Sequence, residues 1–549
     1  MYKSYFIFPI IRILLFISIL LLNNFADTIK KMVLIVLFMM SIAVYALESR
    51  DVPQVNAFVL DNKTSDAMRV VLLQKNLLKI TEEGNNTRYT NVLSQKMIDR
   101  PNVKYVIKWN YDLNGTVITI PDNCILEFDG GSFDNGTIVG NNTVISAPLS
   151  KIFTTNLTIT GTWKNEKAYI EWFGAAGDGN IDDSDCMRKC LPFKSIELQD
   201  KTYLIKMVDI PMDSVHIWGI GNATIYNDEW GPWCFRTSSD YIEIDHVNFK
   251  AIPHTKVTRS YPGGEFDNGA CAVLSKGSYC KFHDLYIEEF YNGIWIGGDY
   301  LDDNQLQDGN ELYNIKCHNI NFNSVAWQRN FVAHDITGDC ATFTPSSYNG
   351  IEKGTYSGNP CHLLYLTGKS YNTIGYNISS SGCQGGSTIA VKGVVNGVFY
   401  NIVAERSAVI QATCLSGRPN RNVFYNHIIC RNQTHASNYI IWADNNINCT
   451  FNNIETYDKE YHPIIRIGKG CEDVVVSDLT MRYVGDINQN SPNAFFLHLY
   501  YSKNTKINNA KIDFPSDKGD IYAINFGTGT IINNVEMPKN GFCKDHSRK

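Results

Sequence analysis

The sequence lacks the features that mark several classes of protein. Its 15 cysteines include no Cys-x-x-Cys pair and no Cys/His cluster of zinc-binding spacing, so no zinc module is indicated. Charged residues make up only 19% of the chain and the formal net charge is -6, which argues against a nucleic-acid-binding protein with its basic face. Proline is scarce, with 17 residues beside 40 glycines. The 30 tyrosines and 27 phenylalanines favour short strands broken by turns over long helices.

The cysteines are odd in number and irregularly spaced. We expect most of them to be buried as small apolar side chains. Cys186 and Cys190 stand four residues apart, on an expected short helix. One or two disulfides stay open for an exported chain, and the spacing does not pair them.

The chain, with 549 residues, is longer than the roughly 250 to 300 residues at which a single globular core stops growing. It is therefore either multidomain or a solenoid that grows along one axis. Hydrophobic residues make up 44% of it, which supplies ample material for a buried core and excludes a wholly disordered chain.

The first 46 residues carry two apolar runs. Residues 5–22 are long enough to span a bilayer, although Arg12 interrupts them. Residues 32–46 follow two lysines and end in Ala46, which is typical of a secretory signal. We predict export to the periplasm, the cell surface or the medium through a bacterial-type signal. A membrane anchor formed by the first run and a translation start at the second run are the open alternatives, and residues 47–102 are polar and unassigned.

A short phrase recurs in the second half of the chain. It consists of an apolar residue, one spacer, Asn and usually another apolar residue, as in VFYNI ending at Ile402. Its period of about 26 residues is typical of stacked supersecondary units. Looser copies occur at His246, Asp284 and Asn319. The shared polar positions of the seven clear copies are Asn377, Asn401, Asn426, Asn453, Asp478, Asn509 and Asn534.

A second strand phrase lies between successive copies, for example VIQAT ending at Thr413. Two or three short strands per repeat, without the apolar spacing of helices, predict an all-β protein. We predict a single-stranded right-handed parallel β-helix, a solenoid over residues 171–541, preceded by β-rich coils over residues 103–170. The recurrent Asn is expected at an inward-facing bend, where it bonds the same residue one coil above and below.

The most specific motif is FGAAGDGNIDDSDCMRKCL, residues 173–191. Its glycine-rich half predicts a tight turn, and Asp182 and Asp183 are expected to cap a short helix. The segment resembles the signature that opens the pectate-lyase-like superfamily of right-handed β-helix proteins, which includes polygalacturonases, pectate lyases and phage tailspikes. Ser184 and Cys186 stand where Thr and Ala are usual.

The resemblance covers roughly residues 103–540 as architecture. It implies that the motif forms the N-terminal cap of the solenoid, with a short capping helix, and that Asp178, Asp182 and Asp183 are structural.

The catalytic motifs of that superfamily do not carry over. After residue 190 there is no Asn-Thr-Asp or Gly-His-Gly of the polygalacturonase type, and the Asp302-Asp303 pair falls in an expected loop. Ile244-Asp245-His246 and Arg418-Pro419-Asn420-Arg421 resemble pectate-lyase elements, but about six coils separate them. We interpret these matches as coincidence.

Alternation predicts which side chains of the second phrase face outward. The inward residues are expected to be Ile410, Ile441, Ile465 and Leu497. One outward column, on consecutive coils, is then Gln411, Trp442, Arg466 and His498. A parallel column holds Lys392, Thr413, Asp444, Gly468 and Tyr500. His362 and Tyr365 are expected near the same face on the preceding coil.

These columns combine an aromatic ring, cations and proton acceptors, which together suit a sugar acid. The candidate catalytic residues are Lys392, Arg466, His498 and Tyr365. The candidate substrate-binding residues are Trp442, Gln411, Asp444, His362 and Tyr500. No protein metal site is predicted, and Ca²⁺ is an open alternative for the cation that neutralises the carboxylate of the substrate.

Two reactions compete for this surface. Hydrolysis needs two carboxyl groups about 5 to 9.5 Å apart, and only Asp444 offers one. β-Elimination of a uronate needs a cation and a base, which the columns supply. We therefore favour a polysaccharide lyase over a glycoside hydrolase. The alternatives are a non-catalytic carbohydrate-binding or adhesive surface protein, and an ordinary solvated surface.

Four insertions are expected to form walls beside these columns. They are residues 251–270, 297–310, 340–360 and 484–493, and Tyr261, Tyr348 and Tyr356 are expected to reach the sugar from them.

Overall fold

The computed structural model describes residues 68–81, 87–154, 156–228, 233–253, 271–297, 306–340, 361–383, 386–414, 417–432, 439–458, 464–484, 496–499, 501–515 and 521–545. The elements below belong to the unit Arg69–Lys549. The predicted targeting region and most of the four insertions lie outside the described residues. Among the helices that are described, none has the length and apolar character needed to cross a membrane.

Short strands begin at Arg69. A parallel sheet is formed by Arg69–Leu72, Val103–Ile107, Ile125–Phe128, Gly136–Ser146 and Leu157–Trp163, and Val117–Thr119 pairs with its fourth strand. A parallel pair is formed by Asn110–Asp112 and Ser132–Asp134, and an antiparallel pair by Leu77–Thr81 and Thr87–Asn91. Within the described ranges, the 3₁₀ turns are Gln95–Met97, Ile170–Phe173 and Leu191–Phe193.

Three long parallel sheets follow, here called sheets 1, 2 and 3. Over the described residues, sheet 1 has 17 strands, which are Asp178–Asp182, Ser195–Leu198, Thr202–Leu204, His216–Gly219, Thr224–Asn227, Glu243–Asp245, Asn248–Ala251, Lys281–Glu288, Glu311–Ile320, Val332–Cys340, Ile374–Cys383, Val398–Glu405, Phe424–Arg431, Thr450–Asp458, Val475–Tyr483, Lys506–Asp513 and Ile531–Glu536.

Sheet 2, counted over the same described ranges, has 13 strands, which are Val208–Ile210, Phe235–Thr237, Cys271–Ser275, Asn292–Ile296, Phe322–Ala326, His362–Thr367, Ser387–Lys392, Ala408–Thr413, Tyr439–Ala443, Ile464–Ile467, Leu497–His498, Ile521–Phe526 and Gly541–Asp545. Sheet 3 consists, where it is described, of Gln307–Asp308, Gln328–Arg329, Ser370–Tyr371, Val394–Val395, Asn420–Arg421 and Asn446–Ile447.

Each full coil visits the three sheets in turn. The chain runs from Val398–Glu405 in sheet 1 to Ala408–Thr413 in sheet 2 and Asn420–Arg421 in sheet 3, and then returns to sheet 1 at Phe424–Arg431. Like strands of successive coils pair in parallel, and parallel crossovers are almost always right-handed. The predicted right-handed parallel β-helix is confirmed.

The core is a set of apolar columns inside the coils. Since β side chains alternate, every second residue of a strand faces inward and stacks on its equivalent in the next coil. One such column, buried throughout, is Ile378, Ile402, Ile428, Ile454 and Leu479. Twelve of the 15 cysteines are buried as well, as expected for small apolar side chains.

The capping helix predicted from the glycine-rich motif is α1, Ser184–Cys190, which buries Met187 and Cys190. Asp182 accepts the N–H of Ser184 at 2.9 Å, which satisfies one free donor at the start of the helix. The prediction that Asp183 also caps the helix is wrong. Asp183 occupies the cap position, but its buried carboxylate turns back and accepts the N–H groups of Ala176 and Gly177 at 2.7 and 3.0 Å.

The recurrent Asn lies at a bend in the strands of sheet 1, at positions that we call the bend column. Every residue of this column has a positive φ, for example 54° at Asn377 and 55° at Asn401. Asn and Asp tolerate this left-handed conformation better than most residues, which explains why they recur there. The column is Asp284, Asn314, Asp335, Asn377, Asn401, His427, Asn453, Asp478, Asn509 and Asn534.

Hydrogen bonds between side-chain amides link successive coils along the bend column. Asn401 donates to the side-chain oxygen of Asn377 at 2.7 Å, and Asn534 donates to that of Asn509 at 3.0 Å. The predicted ladder of stacked amides is therefore present, but the prediction that it faces inward is wrong. Its members are half-buried or exposed, because a left-handed bend turns the side chain away from the core. A buried amide pair does occur in sheet 3, where Asn420 donates to Asn446 at 3.1 Å.

Two assignments to this ladder need correction. The register aligns His427, not Asn426, with Asn401 and Asn453. Asn426 lies in the neighbouring column, where it accepts a bond of 2.8 Å from Asn452. Of the looser copies, His246 and Asp284 align with the column, but Asn319 does not, because Asn314 occupies that position.

Candidate functional site

The outer face of sheet 2 carries the predicted columns in register. Ile410, Ile441, Ile465 and Leu497 are buried, as expected. Strand pairing aligns the first predicted column, Gln411, Trp442, Arg466 and His498. It extends the column to Tyr365 and the buried Ala390 at one end and to the buried Asn525 at the other. The second column is Lys392, Thr413, Asp444 and Gly468, while Tyr500 lies outside the described residues.

Tyr365 and Lys392 meet at one end of this face, in a group that we call the lysine patch. The ammonium of Lys392 donates to the phenol oxygen of Tyr365 at 3.2 Å and lies 4.7 Å from the centre of its ring. Among the described residues, no carboxylate lies within ion-pair distance of Lys392. This cation can therefore stabilise negative charge, either on the phenol oxygen or on an incoming anion.

Trp442, Asp444 and Arg466 form a second group with Tyr439, which we call the tryptophan patch. Asp444 accepts the indole N–H of Trp442 at 2.6 Å and pairs with Arg466 at 3.3 Å. The guanidinium of Arg466 lies 5.4 Å from the ring centre of Tyr439 and 5.5 Å from that of Trp442. These contacts hold the indole of Trp442, which is 36% exposed, in one orientation.

Gly468 makes the ion pair of the tryptophan patch sterically feasible. A Cβ at Gly468 would lie 2.0 Å from Oδ1 of Asp444 and 2.8 Å from Nε of Arg466. The absence of a side chain there lets both charged groups lie flat across the neighbouring strand.

The two patches are separate. Three strand steps lead from Tyr365 to Trp442, which corresponds to about 14 Å at the usual strand spacing. Gln411 is half-buried between them. An extended polymer lying along the solenoid axis would cross both patches, whereas a single sugar would not.

His362 is buried beside this surface. Its side chain is 1% exposed, and its Nδ1 accepts the N–H of Ser387 at 3.2 Å. Burial, and then the charge of Lys392, lower the pKa of His362 to about 3. Its ring is stacked 5.5 Å from that of Tyr365, so it supports the lysine patch from below.

His498 is half-buried and aligned with Arg466 in the first column. The structure thus brings Arg466 and His498 onto neighbouring coils, away from Lys392 and Tyr365, so the four candidate catalytic residues fall into two groups. Tyr261, Tyr348 and Tyr356 lie outside the described residues.

Ca²⁺ does not fit the described part of this face. The ion takes six to eight oxygen ligands, several of them carboxylates. On the described strands of the two columns from Tyr365 to His498, Asp444 is the single carboxylate, and it is already engaged by Trp442 and Arg466.

Tyr439 is a member of the tryptophan patch that the sequence did not predict. It begins the strand Tyr439–Ala443, three residues before Trp442, and strict alternation does not place both residues on one face. A pairing irregularity between Tyr439 and Ile441 brings its ring beside Arg466. No signal in the sequence marks that irregularity.

No protein-family model matches the chain, and no curated protein matches it. Solved structures that are similar include the Agl-KA catalytic domain, with 13% identity, a TM-score of 0.45 and coverage of 69% of this chain and 68% of that one. An exopolygalacturonase from Thermotoga maritima is 10% identical, with a TM-score of 0.39 and coverage of 69% and 91%. The Dettilon tailspike protein is 11% identical, with a TM-score of 0.41 and coverage of 68% of each chain.

The parallel register of the three sheets establishes the fold by itself: the chain is a right-handed parallel β-helix.

Proposed function

We propose that this chain is an exported protein that cleaves an acidic, uronate-containing polysaccharide by β-elimination on the outer face of sheet 2. The observation that carries the proposal is the 3.2 Å contact between the ammonium of Lys392 and the phenol oxygen of Tyr365. The predicted secretory signal at residues 32–46 supports export.

The lysine patch supplies both groups that the reaction needs. Lys392 faces the carboxylate of a bound uronate and withdraws charge from it, which acidifies the C5 proton. The phenol oxygen of Tyr365, which accepts a hydrogen bond from the same ammonium, is the base for that proton. The electron pair of the C5–H bond forms the C4=C5 double bond, and the C4–O bond breaks with its pair on the glycosidic oxygen. The new phenol returns its proton to that oxygen, so no water is consumed and Tyr365 is regenerated.

The tryptophan patch supplies binding further along the polymer. The exposed indole of Trp442 offers an apolar surface to a sugar ring, and Arg466 offers a cation to a second carboxylate. A separation of about 14 Å between the patches suits a chain of several sugars.

Hydrolysis has less support on this face. It needs two carboxyl groups about 5 to 9.5 Å apart, and the described part of the two columns holds one.

The test uses the purified chain and a panel of uronate polysaccharides, with a neutral glucan as control. Elimination produces unsaturated, ultraviolet-absorbing ends together with new reducing ends, whereas hydrolysis produces reducing ends alone. We expect both signals on at least one uronate polymer, and a loss of at least about a hundredfold in Tyr365→Phe. Thr413→Ala, on the same face, should leave the rate unchanged. Binding without either signal across the panel would instead assign the surface to a non-catalytic carbohydrate-binding or adhesive protein.

A further inference from the structure

Three histidines and three carboxylates meet on the outer face of sheet 1, far from the patches of sheet 2 along the chain. Nε2 of His216 lies 2.5 Å from Oδ2 of Asp245, and Nε2 of His283 lies 3.0 Å from Oε1 of Glu243. One donor atom each from His216, Glu243 and Asp245 lies within 4.8 Å of the others. Nε2 of His283 is 3.9 Å from Oδ2 of Asp245, so a fourth donor atom lies beside this group of three.

Parallel register creates this convergence from distant residues. His216 pairs with Glu243 on the next strand, and Asp245 pairs with His283 on the strand after that. The four side chains therefore come from three successive coils, and all lie on the same side of the sheet because their positions differ by even steps.

A second layer of contacts orients two of the four groups. Nδ1 of His283 faces Oδ2 of Asp284 at 2.6 Å, and Asp284 in turn accepts the side-chain amide of Asn314. The other oxygen of Asp245 is bonded by Nδ1 of His246. A carboxylate on the far nitrogen of an imidazole is the arrangement that usually accompanies a metal-ligating histidine, because it fixes the tautomer with the near nitrogen free to bind.

We propose that His216, Glu243, Asp245 and His283 form a binding site for a divalent transition-metal ion, for which zinc is the natural probe. Two imidazole nitrogens and two carboxylate oxygens are a ligand set that zinc accepts in tetrahedral geometry. Zinc at about 2.0 to 2.1 Å from each ligand would hold the donors about 3.3 Å apart, so His216 and His283 rotate toward each other when the ion binds. Ca²⁺ prefers oxygen ligands, so it should compete poorly.

Such an ion would bind three coils together near the N-terminal end of the solenoid. Asp245 and His283 are largely buried at the base of the site, while His216 and Glu243 are about 40% exposed at its mouth, so the ion can enter from solvent. The proposal does not depend on the reaction assigned to sheet 2.

The test is equilibrium zinc binding to the full chain, with retained metal measured after dialysis. We expect about one zinc per chain, retention that Ca²⁺ does not displace, and a higher thermal-unfolding midpoint with zinc than without. Cobalt at the same site should give the intense visible absorption of a four-coordinate ion. His216→Ala and Glu243→Gln should each abolish retention and the cobalt spectrum, and Asp284→Asn should lower affinity about 10- to 100-fold.

His318→Ala is the matched control, since His318 lies on the same sheet and pairs with Asp339, away from the cluster. It should bind zinc as the parent chain does. Glu243→Gln keeps the shape of the side chain, so it tests the site even if His216→Ala folds poorly. Zinc retention that survives in Glu243→Gln, or that His318→Ala loses equally, would overturn the proposal.

Discussion

Lys392 and Tyr365 lie 27 residues apart in the chain, yet the ammonium of one is 3.2 Å from the phenol oxygen of the other. Tyr365 belongs to the strand His362–Thr367 and Lys392 to the next strand of sheet 2, Ser387–Lys392. Tyr365 pairs with Ala390, and Lys392 lies two residues further along that strand. Its long side chain therefore reaches diagonally across the strand spacing to the phenol. Both side chains are held by strands in a rigid ladder, which suits a pair that must keep its geometry through a reaction.

If Lys392 neutralises the carboxylate of the substrate, its importance depends on the charge of that carboxylate. Lys392→Met should lower kcat on a free uronate polymer by about a hundredfold, the scale of a lost electrostatic group. On the methyl-esterified polymer, whose carboxyl groups are already neutral, the loss should be much smaller. Initial rates on the two polymers, measured by ultraviolet absorption of the unsaturated product, give the ratio.

Lys369→Met is the control for that experiment. Lys369 follows the same strand but lies against Tyr371, away from the outward columns. It should leave both rates near those of the parent chain. An equal loss on both polymers in Lys392→Met would show that Lys392 only holds Tyr365 in place.

Gly468 offers a way to disturb the tryptophan patch without removing a charge. In Gly468→Ala the new methyl group collides with Asp444 and Arg466, whose side chains must move apart. We expect the affinity for a uronate oligosaccharide to fall about tenfold, the effect of losing roughly 1.4 kcal/mol of oriented contacts. Thermal stability should change little, because the atoms that must move belong to side chains.

Gly382→Ala is matched to this change, since a Cβ at Gly382 meets nothing within 4 Å. Calorimetric binding of the two variants to one oligosaccharide makes the comparison. Equal affinities in Gly468→Ala and Gly382→Ala would exclude the tryptophan patch from binding.

His427 interrupts the amide ladder of the bend column. It has a φ of 54° and lies between Asn401 and Asn453 in register. In His427→Asn, an amide would replace the ring in a conformation that Asn tolerates well, and hydrogen bonds to both neighbours become available. We expect local stability to increase by about 1 kcal/mol, the net value of a typical hydrogen bond.

Hydrogen exchange of the strand Phe424–Arg431 measures this local change, because a long solenoid does not unfold in a single step. Asn426→Ala should have the opposite effect, since it removes the acceptor of the bond from Asn452. Slower exchange in Asn426→Ala than in His427→Asn would contradict the register.

The stacking of the coils was predictable because it depends on alternation, which the sequence displays directly. The period of two alone predicts that Ile410 and Ile441 lie in the core and that Gln411 and Trp442 face outward. The register of the strands agrees. At Tyr425-Asn426-His427-Ile428 two adjacent polar residues fit the phrase, so the sequence did not decide which of them occupies the bend. The outward direction of the ladder was also not predictable, because the sequence does not show which residues adopt a positive φ.

The candidate sites depend on contacts between coils, which spacing reveals only where the repeat is regular. The burial of His362 was not predictable, because the long insertion before it, residues 340–360, interrupts the regular spacing of the repeat. The cluster around Asp245 was not predicted, for a related reason. Glu243 and His246 lie beside Asp245 in the sequence, but His216 lies 29 residues before it and His283 lies 38 residues after it, so no local motif joins the whole cluster.

The buried His362 makes the stability of the fold depend on pH. Its pKa is lowered from 6.5 to about 3, first by burial and then by the charge of Lys392. Between these values the unfolded chain binds a proton at His362 and the native chain does not. Stability due to this residue is therefore fully present above about pH 6.5 and falls as the pH drops toward 3, by about 1.4 kcal/mol per pH unit.

His362→Asn keeps an acceptor for the N–H of Ser387 and removes the titrating group. The free energy of local opening of the strand His362–Thr367, measured by hydrogen exchange between pH 4 and pH 6 (roughly the middle of this window), should rise more steeply with pH in the parent chain than in the variant. The difference in slope should be about 1.4 kcal/mol per pH unit, which corresponds to one bound proton. Lys392→Met should raise the pKa of native His362, because it removes the neighbouring positive charge. The pH range over which the stability falls then becomes narrower, and the protein is more stable in acid. An identical pH slope in the parent chain and His362→Asn would show that His362 does not titrate between its native and unfolded forms in this way.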